Sequence, residues 1–394
     1  MSALKDIKVL DFCHMAPGMY CTMMLADFGA DVLRIERPVK DTLSLLAGNP
    51  ALEELTKAQE GINRAFNRNK RSIALNLSEK KSLEIVYKLA ESADVIVEGF
   101  RPGVAAKLGI DYATMSKINP GIVYCSLSGY GQTGPYAQLP GHDINYIALG
   151  GALDMIGVPG GAPVIPMNFI GDWAGGSLHG VIGILLALNA RHKTQKGQYV
   201  DISYTDGVAS LVTLFAFNSL NFGTEYKRGS LGNDPNYTTY KTRDNKYIAI
   251  GCVEPWFWVN LCKFAGREDL IAFQFDKSDK RDQVWDFFRD FFLQKDRDEW
   301  FELMKDKNIP IGKVYSVGEA FSDPQMKHRH MLEEIDLPDG SKEKAVGVSI
   351  KLSDTPGEIK SPAPVLGNNT KEVLKDLGYS SKQIEDLLQQ GIIG

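Results

Sequence analysis

The sequence predicts an α/β protein in which a large domain built on a parallel sheet is followed by a smaller α+β domain. Three observations predict it. Short runs rich in Val, Ile and Leu at residues 7–12, 30–37, 72–77, 93–100, 121–128 and 198–204 alternate with helical patterns at 18–28, 78–92, 112–119 and 173–191. Such alternation forces successive strands to run parallel, with the helices covering both faces of the sheet. From about residue 206 the chain becomes aromatic and loses the alternation, and its 394 residues are enough for two hydrophobic cores.

The first strand follows the N-terminus directly, without an apolar leader pattern, and a helical stretch with small residues comes next. Strand 30–37 ends at Arg37, Arg68, Lys70 and Arg71 precede strand 72–77, and Arg101, which Pro102 pins, follows strand 93–100. After the strand at 121–128 comes C-S-L-S-G-Y-G-Q-T-G-P-Y-A-Q-L-P-G-H-D, residues 125–143, whose Gly and Pro spacing is too close for a regular element. It reads as a long ordered loop, and such loops carry function disproportionately. A short extended piece at 167–171 then leads to Asp172, which reads as the N-cap of a helix whose small residues Ala174, Gly175, Gly176 and Ser177 admit a close neighbour. The longest apolar run, near 181–190, is too short to span a bilayer.

Residues 209–222 read as a buried or interface helix, and the Gly/Asn/Tyr-rich segment 229–240 as a loop or linker. The small domain opens with a strand at 246–252, then a helix with Pro255 in its first turn and an amphipathic helical region at 281–305. Its crowded aromatic residues, Trp256, Trp258, Phe288, Phe292 and Trp300 among them, read mainly as core. Beyond residue 325 the pattern is a charged hairpin, a proline-rich run and a capped helix. The expected division is 1–210 for the large domain, 211–235 for a linker, 236–325 for the small domain, and 326–394 for a linker and C-terminal segment.

Charge and cysteine usage exclude several function classes. A net charge of −5 gives no general attraction for nucleic acid or an anionic membrane. Five scattered cysteines without C-x-x-C spacing suggest neither a disulfide framework nor a zinc site, so a reducing, cytoplasmic setting is expected. Neither G-x-G-x-x-G nor G-x-x-x-x-G-K-[ST] occurs, which disfavours a nicotinamide enzyme and a P-loop phosphotransferase. In an acidic chain, Arg and Lys gathered at strand ends suit a polyphosphate ligand, because guanidinium groups grip phosphate in a bidentate way.

The motifs G-H-D-I-N-Y, G-Y-G-Q-T-G-P, G-D-W-A-G-G-S, V-E-P-W-F and the C-terminal P-A-P-V-L-G resemble the class III CoA-transferase superfamily, CaiB/BaiF type, and within it the α-methylacyl-CoA racemase branch. The resemblance covers essentially the whole chain. It implies a Rossmann-like large domain, an interlocked homodimer, and CoA bound by Arg37, Lys70, Arg71 and Arg101. It implies no cofactor beyond the CoA moiety of an acyl-CoA thioester, and no metal. Gln138 and Leu139 stand where many relatives carry a basic residue.

The expected reaction is racemisation by 1,1-proton transfer at the α-carbon of a 2-methyl-branched acyl-CoA. His142 would serve one face of the carbon, oriented by Glu254 and Asp143. Asp172 would serve the other, with backbone N–H groups at its helix start holding the enolate oxygen. The alternative is CoA transfer between carboxylic acids, with Asp172 as the nucleophile that passes through an aspartyl-CoA thioester. A non-catalytic CoA-binding protein is the third class. The acyl group cannot be read from one sequence, because its pocket is lined from several distant segments.

Overall fold

The computed structural model describes residues 2–38 and 50–394, and the chain divides into two compact units. The first comprises residues 1–152, 165–214 and 328–394, and the second 153–164 and 215–327. The segment 153–164, assigned from the sequence to the large domain, thus clusters with the second unit.

The first unit is organised by a six-stranded parallel sheet of β1 (Lys8–Asp11), β2 (Asp31–Glu36), β3 (Arg71–Ala74), β4 (Val95–Glu98), β5 (Val123–Ser128) and β6 (Tyr199–Ser203). The strand order is β3-β2-β1-β4-β5-β6. Every strand expected from the sequence is present, most ends being trimmed by one to three residues, while β3 starts one residue earlier and β5 ends where expected. Alternate residues of each strand face opposite layers. Leu10, Leu33, Ile96 and Tyr124 pack with the helices α3 (Lys80–Ala90) and α5 (Tyr112–Ile118), while Val9, Val32, Val95 and Val123 pack with α1 (Ala16–Asp27) and α7 (His179–Thr194). Ile384 and Leu387, on the C-terminal helix Ser381–Gln389, join the first of these layers. Chain direction across the sheet reverses between β1 and β4, and such a switch point leaves a crevice at the carboxyl ends of the two strands.

A π-helix, Phe169–Leu178, runs directly into α7. Together they form one apolar helical run, 169–194, of 26 residues, longer than the sequence suggested because the Gly-rich start is helical too. By length and composition alone it could cross a bilayer, yet Val181, Ile184, Ala187 and Leu188 are buried in the layer beneath β5. Other helices in this unit are α2 (Pro50–Phe66), which the sequence reading missed, α4 (Val104–Leu108), α6 (Asp143–Leu149) and α8 (Tyr204–Leu211). The helix α9 (Thr213–Phe222), inside the expected linker, follows and buries no residue.

The second unit holds a three-stranded antiparallel sheet of β7 (Tyr237–Lys241), β8 (Tyr247–Gly251) and β9 (Ile311–Lys313), with α10 (Pro255–Phe264), α11 (Lys280–Phe292) and α12 (Arg297–Met304). Tyr237 to Lys241, expected to be largely loop, pairs antiparallel with β8, Tyr237 opposite Gly251 and Lys241 opposite Tyr247. Tyr240, Trp258, Phe288, Phe292 and Trp300 are buried together, so these aromatics are core, whereas Trp256 is exposed. In the first unit, the charged hairpin after residue 325 forms as β10 (Leu332–Asp336) against β11 (Lys342–Val346).

Candidate active site

At the β1–β4 crevice lies a cavity of about 440 Å3 lined by Cys13, Arg101, Tyr130, His142, Tyr146 and Asp172, among others. Each reaches it from a different strand end or loop. Cys13 follows β1, Arg101 follows β4, and Tyr130 lies in the loop after β5. His142 is the N-cap of α6, where its own N–H donates to Asn145 Oδ1 at 3.0 Å. Tyr146, one helical turn later on the same face, packs edge-on against Tyr130 at 5.2 Å. Burial pushes the Tyr146 hydroxyl up to about 12, so it stays protonated in the neutral range.

Asp172 is not the N-cap expected from the sequence. Asn168 holds that position, residues 169–171 are helical rather than extended, and Asp172 sits in the first turn of the π-helix. One oxygen of its carboxylate accepts from Asn168 Nδ2 at 3.2 Å. Burial raises its pKa against the lowering effect of Asn168 and of His142 nearby, with Asp143 adding to the rise. A carboxyl of raised pKa retains its proton further toward neutrality, which is what an acid in proton transfer requires.

The π-helical geometry follows from its glycines and polar braces. Gly175 and Gly207 pack backbone to backbone, and a Cβ on Gly207 would lie 2.2 Å from Gly175 O. The small residues therefore admit a neighbouring chain, α8. Ser177 Oγ donates to Pro17 O at 2.7 Å and to Asp172 O at 3.0 Å, while His179 Nδ1 meets Ala174 O at 2.7 Å. The contacts with Asp172 O and Ala174 O brace carbonyls within the turn, and the one with Pro17 O ties it to α1.

Asp143 plays a different part from the one expected. It is buried, and its Oδ1 accepts from the N–H groups of Gly171 and Asp172 at 2.7 and 2.8 Å. It braces the Asp172 turn rather than His142. Two of the N–H groups that the sequence reading reserved for an enolate oxygen are thereby already taken. Gly171 must be glycine here, since a Cβ would stand 2.6 Å from Asp143 Oδ1.

The four basic residues assigned to CoA separate into two kinds. Arg101 is exposed at the first cavity, and Arg37 is exposed at a second of about 210 Å3, which shares Phe100 with it. Lys70 does not reach either. Its ammonium is fully buried and meets Asp11 Oδ2 at 3.1 Å, Met19 O at 3.0 Å, Thr22 Oγ1 at 2.7 Å and Asn67 Oδ1 at 2.9 Å. Three N–H donors facing four acceptors leave nothing for a phosphate. Burial pushes the Asp11 carboxyl up, but Lys70 and Arg34 outweigh it and hold Asp11 below its ordinary range. Arg71 is likewise engaged, bidentate on Asp31 at 2.9 and 2.6 Å and within 3.8 Å of Glu372. Arg68, left aside for CoA in the sequence, forms a buried pair with Asp27.

Glu254 belongs to the second unit, half-buried at the N-cap of α10, with Pro255 as the first helical residue. Sequence reasoning overlooked Tyr130 and Tyr146, although both lie in the quoted motifs and the four-residue spacing of His142 and Tyr146 already puts them on one helix face.

The family model for CoA-transferase family III matches residues 4–370. The chain belongs to CoA-transferase family III. It is 33% identical over 397 residues to an α-methylacyl-CoA racemase of Mus musculus, covering 99% of this chain and 97% of the relative. It is also 30% identical over 398 residues to a succinyl-CoA:glutarate CoA-transferase of Homo sapiens, covering 99% and 90%. Among solved structures, a CaiB/BaiF family protein from Brucella suis superposes with a TM-score of 0.79 at 29% identity, covering 95% of this chain and 99% of that one. This family III chain is thus similar over its whole length both to racemases and to transferases.

Proposed function

We propose that the protein is an acyl-CoA racemase or epimerase that moves a proton between the two faces of the α-carbon of a 2-methyl-branched acyl-CoA. The observation that carries this reading is that His142 and Asp172 line one cavity at the switch point, with Arg101 at the same cavity. In one direction, neutral His142 takes the α-proton, and the C–H electron pair moves into the thioester to give an enolate. Protonated Asp172 then delivers its proton to the opposite face, leaving an imidazolium and a carboxylate. The reverse direction exchanges the roles, and solvent resets both groups. Asp143 braces the Asp172 turn, and Glu254 is proposed to orient His142. CoA is proposed to lie along the strand ends, its phosphates near Arg101 and Arg37.

The racemase-named relative supports this chemistry, while the CoA-transferase-named one supports a second reading. There Asp172 attacks the acyl-CoA and the CoA thiolate leaves; the thiolate then attacks the aspartyl carbonyl of the mixed anhydride, expelling the donor carboxylate and leaving an aspartyl-CoA thioester. The two readings treat the α-proton differently. With a 2-methylacyl-CoA in heavy water and no added carboxylate, the proposal requires deuterium at the α-carbon, and His142→Ala should slow its uptake at least about 100-fold. CoA transfer to a free acid without deuterium uptake, undiminished in His142→Ala, would overturn it.

A further inference from the structure

Another cavity, of about 310 Å3, opens on the opposite side of the same strands and shares no lining residue with the first among the described residues. The separation follows from the two-residue period of β4 and β5. Glu98 and Ser126 face one layer, whereas the next residues in sequence, Gly99 and Leu127, line the proposed catalytic cavity. Three tyrosines packed against one another form one wall of the second cavity. The rings of Tyr112 and Tyr199 are 5.4 Å apart, Tyr124 and Tyr199 5.9 Å, and Tyr112 and Tyr124 6.1 Å.

Glu98, 2% exposed, is the carboxylate of this cavity. It accepts from Ser126 Oγ and, at 2.7 Å, from the Phe100 N–H, and Tyr199 donates to Ser126 Oγ at 2.9 Å. These are neutral donors. The buried carboxylates Asp11, Asp27 and Glu36 each hold a cation, Lys70, Arg68 and Arg34 respectively, whereas Asp143, like Glu98, is met by neutral donors. Glu98 has no such partner, and no Lys or Arg lines its cavity among the described residues. Asp111 also lines it, and Asp201 stands close behind, accepting the Gln132 N–H at 3.1 Å. Burial raises the pKa of Glu98, and the charge of Asp201 raises it further. Gln132 completes the lining, and its Nε2 is buried without a partner.

A buried carboxylate without a counter-ion keeps its proton further toward neutrality, and a cation that enters beside it favours the ionised form, with the aromatic wall adding to the attraction. The same negative charge repels the phosphates of CoA. A bare metal ion is disfavoured, because no three metal-ligating His, Cys, Asp or Glu side chains converge among the described residues. We infer that this cavity binds a small organic ammonium ion, with the Glu98 carboxylate as counter-charge and the tyrosine cluster as an aromatic wall against which it rests. The free Gln132 donor favours a ligand that also carries an oxygen acceptor.

The test is calorimetric titration of the full chain with tetramethylammonium, choline and butylammonium chlorides, with sodium chloride at matched ionic strength as the blank. One saturable site per chain is expected, with choline tighter than tetramethylammonium because its hydroxyl can meet Gln132. Butylammonium binding more tightly than both would keep the site and assign it to primary amines. Glu98→Gln and Tyr112→Leu should each weaken binding at least about tenfold while leaving CoA affinity unchanged. Tyr112 is only partly buried, so its variant tests the aromatic wall even if Glu98→Gln fails to fold. Absence of saturable heat with all three cations, unaltered affinity in Tyr112→Leu, or competition by CoA would overturn the inference.

Discussion

At the scale of single residues, the basic side chains show how burial decides function. Arg101 and Arg37 are exposed at cavities along the strand ends, so Arg101→Ala and Arg37→Ala should each weaken CoA binding about tenfold, less so at high salt, with thermal stability unchanged. Lys70→Met should behave oppositely. It leaves Asp11 charged and unpaired inside the protein, a loss of about 3–5 kcal/mol measurable by urea unfolding. Asp172 gives a prediction whose sign depends on pH. Burial raises its folded pKa above the ordinary 3.8, so the folded state holds the proton more tightly and loses stability as pH rises through that interval. Asp172→Asn should therefore raise the melting temperature at pH 7, lose that advantage below pH 3.8, and abolish activity.

At the scale of elements, the site depends on a helix of unusual pitch held between neighbours. Asp143 supplies the brace from α6, and α8 supplies the close backbone at Gly207. Asp143→Ala frees two N–H groups without a buried acceptor, which should cost about 1–3 kcal/mol and lower kcat more than it raises KM. Gly207→Ala should be worse for activity than for folding, because relief of its contact with Gly175 must shift the π turn that carries Asp172. Circular dichroism melts beside the deuterium assay would separate the two effects. An equal loss of kcat in an exposed control such as Gly318→Ala, whose Cβ would meet nothing, would remove the argument from close packing.

For the whole molecule, α9 is the informative feature. Leu214, Phe217, Leu220 and Phe222 are all more than half exposed on a helix that buries nothing, and apolar surface gathered in this way marks an interaction face. The interlocked homodimer implied by the resemblance would cover such a surface. Sedimentation on dilution should then yield no folded monomer, since threaded chains separate only by unfolding, and freely exchanging monomer would count against threading.

The alternation of apolar runs determined the strands, their parallel direction and the small domain's aromatic core, because those signals are local and repeat every two or three to four residues. Adjacent motif residues also marked His142, Asp172 and Arg101 before any fold was known. What the sequence could not determine rests on partners far apart in the chain. Lys70 reads as a phosphate ligand until β1 brings Asp11 beneath it, and Asp172 reads as a helix cap until Asp143, nearly thirty residues earlier, takes the N–H groups of its turn. Glu98 gives the converse case, a carboxylate inside an ordinary apolar strand whose lack of a cation becomes visible only once the fold brings three tyrosines from separate segments together at its cavity. Burial and pairing are set by tertiary contacts, and they decide which charged side chains hold the fold together and which remain free to meet a ligand.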